Sequence, residues 1–269
     1  MKSKSSSKLI VGVFDSGVGG LTVMRALRRA APGHDYIYLG DTARLPYGTK
    51  SARTVRSYAL LSTQALVDRG IDVLIVACNT ASSFALDLLA QTYSDLPVFG
   101  VIAPGAEAAV NSSVRGCIAI IGTESTVRGG TYQQEIFRLN PSIQVVARSC
   151  PLLVTLAEDG WVSGTVPETV LSAYLDPWLF GDKKPDVLLL GCTHFPILAD
   201  AIKGIVGPSV RIVDSAITTA MSVEAMIGRG HGSGKLTLMA TDDVERFARV
   251  GEFFLNQKID SSEVVRIDL

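Results

Sequence analysis

Residues 72–84 read DVLIVACNTASSF, and residues 186–198 read DVLLLGCTHFPIL. In the first stretch an acidic residue opens an apolar run over 73–77, which ends at Cys78, Asn79 and Thr80 before a helix-like pattern begins. A short continuous apolar run closed by helix-starting polar residues marks a buried parallel strand feeding a helix. The second stretch repeats the plan, with Cys192 as far from Asp186 as Cys78 is from Asp72. Two matched strand tips, each ending in a cysteine, frame both the fold and the question of function.

Working outward, the strand–helix alternation continues on both sides. Residues 9–14 form an apolar run into Asp15-Ser16-Gly17-Val18-Gly19-Gly20, and a helix is expected over 21–30 with Leu21, Met24 and Leu27 inward. A strand over 36–39, a loop over 43–49 and a helix over 51–69, closed by Gly70, lead to the first cysteine strand. A fourth strand is expected over 98–101, with Ala103-Pro104-Gly105 as a crossing point. The pattern then restarts with a strand over 118–121 and a helix opened by Gly129-Gly130-Thr131. After these come a strand over 144–147, helices over 152–158 and 167–179 with Trp178 in the core, and the second cysteine strand. A helix from Pro196, a strand over 211–213, a helix to about 227 and a Gly-rich loop over 228–234 follow. A strand over 236–240, a helix over 244–255 and a short strand over 264–267 end the chain. Such alternation implies parallel sheets with right-handed crossovers. The expected architecture is α/β, with two pseudo-symmetric lobes, each a mostly parallel sheet flanked by helices, and a cleft between them. Residues 9–103 with 214–269 form the expected first lobe and 104–213 the second, after a disordered tail over 1–8.

Composition narrows the function classes. Hydrophobic residues make up 47% of the 269 and aromatics only 7%, which suits buried parallel strands better than an antiparallel sandwich. A formal net charge of −1 offers no global field to attract nucleic acid or a membrane surface, so neither is expected as a partner. The basic start MKSKSSSK lacks an apolar core, so no signal peptide is read there. No run approaches the ~20 apolar residues that span a bilayer. Cys78, Cys117, Cys150 and Cys192 show no paired spacing, which argues for reduced thiols and a cytoplasmic location.

Small polar and ionisable residues follow the strands: Asp15-Ser16, Asp41-Thr42, Cys78-Asn79-Thr80, Thr123, Cys192-Thr193-His194 and Asp214-Ser215. The carboxyl edge of an open parallel sheet is where ligands bind, helped by free N–H groups of the following helices. Ser16, Thr42 and Ser215 serve equally well as helix caps. Cys117 and Cys150 fit the role of small buried hydrophobes. Cys78 and Cys192 leave their strands at helix N-termini, where the dipole favours thiolate. DSGVGG matches neither a dinucleotide nor a phosphate-loop pattern. A zinc site from Cys78, Cys192 and His194 would lack short-spaced ligand pairs, so no metal is expected. His194 either assists a thiolate or caps its helix. A hydrolase with Cys192 as nucleophile and His194 as base is a rival reading that leaves Cys78 unused. Two symmetric thiols suit inversion of a stereocentre, which without a cofactor needs a base on each face of the carbon. Direct transfer places each sulfur roughly 3–3.5 Å from that carbon. The carbanion then needs donors in a water-poor site, and Ser16, Asn79, Thr80 and Thr193 are suitable.

At these residues the chain resembles the glutamate racemases of the cofactor-independent aspartate/glutamate racemase superfamily. The matching segments are GVFDSGVGGLTV (12–23), LGDTARLPYGTKS (39–51), ACNTAS (77–82), IGTESTVRGGTY (121–132) and GCTHFPIL (191–198). DTARLPYG and GCTHFP favour the glutamate enzymes over aspartate racemases. The resemblance implies Cys78 and Cys192 as proton acceptor and donor for the two enantiomers, with Asp15 assisting Cys78 and His194 assisting Cys192. It implies substrate contacts at Asp15, Ser16, Tyr47, Gly48, Asn79, Thr80, Thr123, Thr126, Thr193 and His194. Glu158, in AEDG, matches a glutamate that family members carry before an acidic-Gly pair. The resemblance further implies a glutamate substrate, no cofactor, a homodimer, and supply of D-glutamate for peptidoglycan. Some relatives use an N-terminal extension for activation; MKSKSSSK is short for that role.

Overall fold

The computed structural model describes residues 8–179 and 184–269. The tail expected over 1–8 therefore lies outside the described residues except for Lys8, which pairs with Asp35 at 2.7 Å.

In chain order the first lobe runs β1 (Ile10–Asp15), α1 (Leu21–Ala30), β2 (Asp35–Gly40), α2 (Ala52–Val67), β3 (Val73–Val76), α3 (Asn79–Thr92) and β4 (Val98–Gly100). Helix α4 (Ile102–Ser112) follows, then β5 (Cys117–Gly122), α5 (Glu124–Gly129), α6 (Thr131–Leu139), β6 (Gln144–Ser149), α7 (Pro151–Glu158) and α8 (Thr165–Leu179). The remainder is β7 (Val187–Gly191), α9 (Ala199–Val206), β8 (Arg211–Asp214), α10 (Ser215–Ile227), β9 (Leu236–Ala240), α11 (Val244–Leu255) and β10 (Val264–Arg266).

Among the described residues the strands form two sheets, ordered β10-β9-β2-β1-β3-β4 and β6-β5-β7-β8. Every pairing is parallel. The order 2-1-3-4 recurs as 6-5-7-8, so β1 corresponds to β5 and β3 to β7. In such sheets the crevice where strand order reverses, beside the first strand's carboxyl end, is the natural ligand site. Here that place lies between β1 and β3 in one lobe and between β5 and β7 in the other.

The acidic residue that opens each cysteine strand anchors the neighbouring strand. Asp72 accepts from Ile10 N–H at 2.7 Å, at the start of β1. Asp186 accepts from Ser113 Oγ at 2.8 Å and from the N–H groups of Val114 and Arg115, just before β5. These bonds fix the register, Val11 opposite Val73 and Ile118 opposite Val187, that brings both cysteines to the same edge. One hydrophobic cluster runs from Val11, Val13 and Ile75 of the first sheet to Leu188 and Leu190 of the second, binding the lobes together.

Three expectations change. Ala103-Pro104-Gly105, read as a crossing point, lies in the first turn of α4, which packs on α6 and β7. Proline is harmless there because first-turn N–H groups have no helical partner. The helix expected to open at Gly129-Gly130-Thr131 begins at Thr131, and residues 124–129 before it form a separate helix, α5, capped by Thr123 Oγ1 accepting from Thr126 N–H. Trp178, expected in the core, is half-buried at the edge, with the Arg148 guanidinium 5.1 Å from its ring centre.

Burial would raise the Asp186 carboxyl, but hydrogen bonds from Arg115, Ser113 and Val114 outweigh it and hold it below its ordinary value. A depressed carboxyl stabilises the fold above the unfolded value and loses that contribution as pH falls through the folded one. Asp186→Asn should cost about 2 kcal/mol near neutrality, lowering Tm by roughly 4–8 °C, with the gap to wild type closing in acid. Thermal melts at pH 7 and below 4 would check this; a gap that persists in acid would refute it.

Candidate active site at the lobe interface

A narrow cavity of about 30 Å³ lies between the sheet edges, lined by Ser16, Pro46, Gly48, Cys78, Asn79, Thr80, Thr123, Val154, Cys192, Thr193 and His194. Both strand-tip cysteines face it, each about 5% exposed. It has room for about one water, so an amino-acid ligand requires the lobes to part.

Cys78 caps α3: its Sγ accepts from Ala81 N–H at 3.4 Å and donates to Ser16 Oγ at 3.7 Å. Burial, then the charge of Asp15, push this thiol up to about 12, against the pull of the Ala81 N–H and the Ser16 hydroxyl. The helix N-terminus expected to favour thiolate is thus outweighed by the loss of water. Asp15 is wholly buried at the end of β1, where burial raises its carboxyl against the lowering influence of His194 and nearby N–H groups. Its oxygens accept from Gly17 N–H at 3.0 Å and Thr193 Oγ1 at 3.5 Å.

Cys192 has a different neighbour. Its Sγ lies 3.7 Å from His194 Nδ1, and His194 Nε2 donates to Glu158 Oε1 at 3.0 Å. Burial disfavours a charged imidazole, yet Cys192 and Glu158 outweigh it and push His194 up to about 10. Burial likewise opposes ionisation of Glu158, yet His194 and Arg246 hold it down to about 2. Across the neutral range the ring is an imidazolium that can donate to sulfur from one nitrogen and to carboxylate from the other.

Donors for a ligand come from both lobes. Asn79 accepts from Tyr132 OH at 2.7 Å through Oδ1, while its buried Nδ2 has no hydrogen-bond partner. A buried amide donor at a cavity wall is an unmet hydrogen bond waiting for an acceptor. Thr80 Oγ1 lies 2.9 Å from Thr123 Oγ1 and 3.0 Å from Thr126 Oγ1, closing a hydroxyl triangle between the lobes. Two glycines allow this apposition. A Cβ on Gly19 would stand 2.5 Å from the His194 ring and Thr193 Oγ1, and one on Gly48 would stand 2.6 Å from Thr123.

Ser16, Gly48, Asn79, Thr80, Thr123, Thr193 and His194 thus join the two thiols at the wall. Asp15, Thr126 and Glu158 stand one contact behind it. Tyr47 turns away: its ring is buried and its hydroxyl donates to Asp41 Oδ2 at 2.6 Å. Pro46 and Val154 line the cavity without any chemical signal in the sequence. Arg246, 2.8 Å from Glu158 Oε2, reads in sequence as an ordinary helix-surface charge.

Two doubly wound lobes here enclose a thiol from each of two equivalent strand tips in one cavity. The model of the Asp/Glu/Hydantoin racemase family matches residues 11–223, and the chain belongs to that family. The glutamate racemase of Geobacter metallireducens is 45% identical over 255 residues, covering 93% of each chain. That of Aquifex aeolicus is 40% identical over 250 residues, covering 93% of this chain and 95% of the relative. Among solved structures, glutamate racemase isoform RacE1 from Bacillus anthracis has a TM-score of 0.89 at 33% identity, covering 97% of this chain and 98% of that one. The Francisella tularensis glutamate racemase, in complex with D-glutamate, has a TM-score of 0.87 at 33% identity, covering 97% of each chain. An aspartate racemase from Picrophilus torridus, 17% identical with a TM-score of 0.55, shares the fold.

Two outcomes are expected of His194. Its ring nitrogens, followed by 15N NMR, should stay protonated through pH 8 and titrate near 10, whereas a midpoint near 6.5 would contradict the Glu158 pairing. Gly19→Ala should displace the ring and return the midpoint toward its ordinary value; an unchanged titration would show that the close approach does not position the ring.

Proposed function

We propose that the chain interconverts L- and D-glutamate, with Cys78 and Cys192 exchanging the α-proton from opposite faces. The observation that carries this reading is the pair of thiols from equivalent strand tips on one closed cavity. Family membership and the glutamate racemases among its relatives support the choice of substrate.

In one direction a thiolate on one side takes the α-proton, and the carbanion receives a proton from the thiol on the other. The reverse reaction swaps the roles, and solvent exchange resets the sulfurs between turnovers. The α-proton of an amino acid is a very weak acid, so the carboxylate beside the carbanion needs donors held out of water. Asn79 Nδ2 and the threonine hydroxyls fill that need. On the Cys192 side the His194 imidazolium offsets charge developing on sulfur. On the Cys78 side the Ala81 N–H and the Ser16 hydroxyl do so, against the opposing charge of Asp15. Enclosure strengthens every one of these interactions.

The Cys192–His194 pair by itself would serve a hydrolase, but that reading gives Cys78 no task. A cytoplasmic homodimer supplying D-glutamate to peptidoglycan completes the proposal and rests on the family resemblance.

Circular dichroism of D- or L-glutamate solutions with the enzyme should relax to zero. Cys78→Ser and Cys192→Ser should each slow that relaxation by roughly 10²–10⁴-fold, the usual worth of a positioned acid–base group. Full activity in either variant would exclude the two-thiol mechanism. Asn79→Ala should lower kcat/KM by roughly ten- to a hundredfold, as expected for a lost hydrogen bond to a charged group. Unchanged kinetics would remove Asn79 from the carboxylate site.

A further inference from the structure

The chain of contacts behind Cys192 does not end in its own lobe. Glu158 closes α7 on the second sheet's side, whereas Arg246 stands in the first turn of α11, which packs on α1 and β10 of the first sheet. Glu158 uses both oxygens: Oε1 accepts from His194 at 3.0 Å and Oε2 from Arg246 Nη2 at 2.8 Å. The side chains of His194 and Glu158 are 8% and 13% exposed, and that of Arg246 is 38% exposed. Arg246 is itself anchored, since its N–H donates to Asp243 Oδ1 at 2.9 Å, which caps α11.

A carboxylate held at both oxygens by two cationic donors cannot rotate, and it presents one fixed lone pair to each. With one donor removed, it turns freely about its last bond and its pull on the imidazole loses direction. Cys78 has no comparable strut, because Ser16 and the Ala81 N–H both belong to its own lobe. On the Cys78 side the contacts from across the interface reach the next residues, Asn79 and Thr80, rather than a group that touches the sulfur. The His194 ring is braced on a second side by Phe254, also on α11, edge-on with the centroids 5.2 Å apart.

We propose that Arg246 is a positioning residue for the Cys192 side of the reaction: from the opposite lobe it clamps Glu158, which holds the His194 ring against Cys192 Sγ. Clamp and carboxylate sit on different lobes, so the brace spans the interface. The inference rests on the proposed racemase reading for its kinetic consequences, while its effect on the His194 ring is independent of any substrate.

The charged groups facing Glu158 among the described residues are His194 and Arg246, and His194 in turn faces Cys192 and Asp15. Loss of Arg246 removes a cation that favours the Glu158 carboxylate, so that carboxyl should titrate at higher pH. The test compares wild type, Arg246→Gln and Arg246→Lys in full-length enzyme. Arg246→Gln should lower kcat about tenfold with KM nearly unchanged, the lower end of what a charge-assisted hydrogen bond supports given the exposure of the guanidinium. The acidic limb of its kcat/KM profile should move to higher pH, the His194 ring 15N shifts should change without substrate, and Arg246→Lys should restore most of both. An active wild type with an Arg246→Gln variant of unchanged kcat, pH profile and ring shifts would overturn the clamp and leave the racemase reading standing. A wild type inactive on glutamate would overturn that reading, and the ring shifts alone would then decide the clamp. Equal losses in both variants with an unmoved acidic limb would mark Arg246 as structural and overturn the proposal.

Discussion

A thiol shut away from water resists losing its proton, and the rest of the site answers to that constraint. Cys78 is pushed up to about 12 by burial and by Asp15, although it caps a helix whose N-terminus favours negative charge. Abstraction of an α-proton needs a sulfur that can ionise, yet stabilisation of the resulting carbanion needs the water excluded. The two demands conflict. Fixed groups inside the cavity reconcile them, supplying charge and donors where solvent would otherwise do so.

The two lobes meet the conflict differently. Their strand orders match, 2-1-3-4 against 6-5-7-8, and Asp72 and Asp186 anchor matching strand starts. The symmetry stops at the chemistry. Asp15 ends β1, where the second lobe has Gly122 at the end of β5. Cys192 has an imidazolium 3.7 Å away, while Cys78 has a hydroxyl. A repeated scaffold thus brings two thiols to one cavity, and unlike neighbours give each its own electrostatic setting. Gly19 and Gly48 permit the fit, since a methyl at either would meet the opposite lobe at 2.5 or 2.6 Å.

Much of this was legible in the sequence for a physical reason. Parallel strands covered on both faces must be continuously apolar, so 73–76 and 187–190 stand out, and the cysteines after them fall at the ligand-binding edge. Helix α4 was hidden because Pro104 and Gly105 read as breakers, although the first turn of a helix tolerates both. The orientation of Tyr47 depends on Asp41, whose side chain receives its hydroxyl, and the motif around it carries no sign of that. The charge on Cys78 was misread because a local rule about helix ends says nothing of burial, which only the assembled lobes create. Arg246 lies 88 residues from Glu158, and no local pattern separates it from Arg249, the other arginine of its helix.

The central claim, that two sulfurs work on opposite faces of one carbon, is tested most directly by the fate of the α-hydrogen in deuterated water. With protiated L-glutamate at low conversion, the account predicts that newly formed D-glutamate carries deuterium at the α-carbon while the remaining L-glutamate stays protiated. Product that retains the substrate's own hydrogen, or deuterium that enters the unreacted enantiomer as fast as product forms, would show a single base serving both faces and would contradict the account.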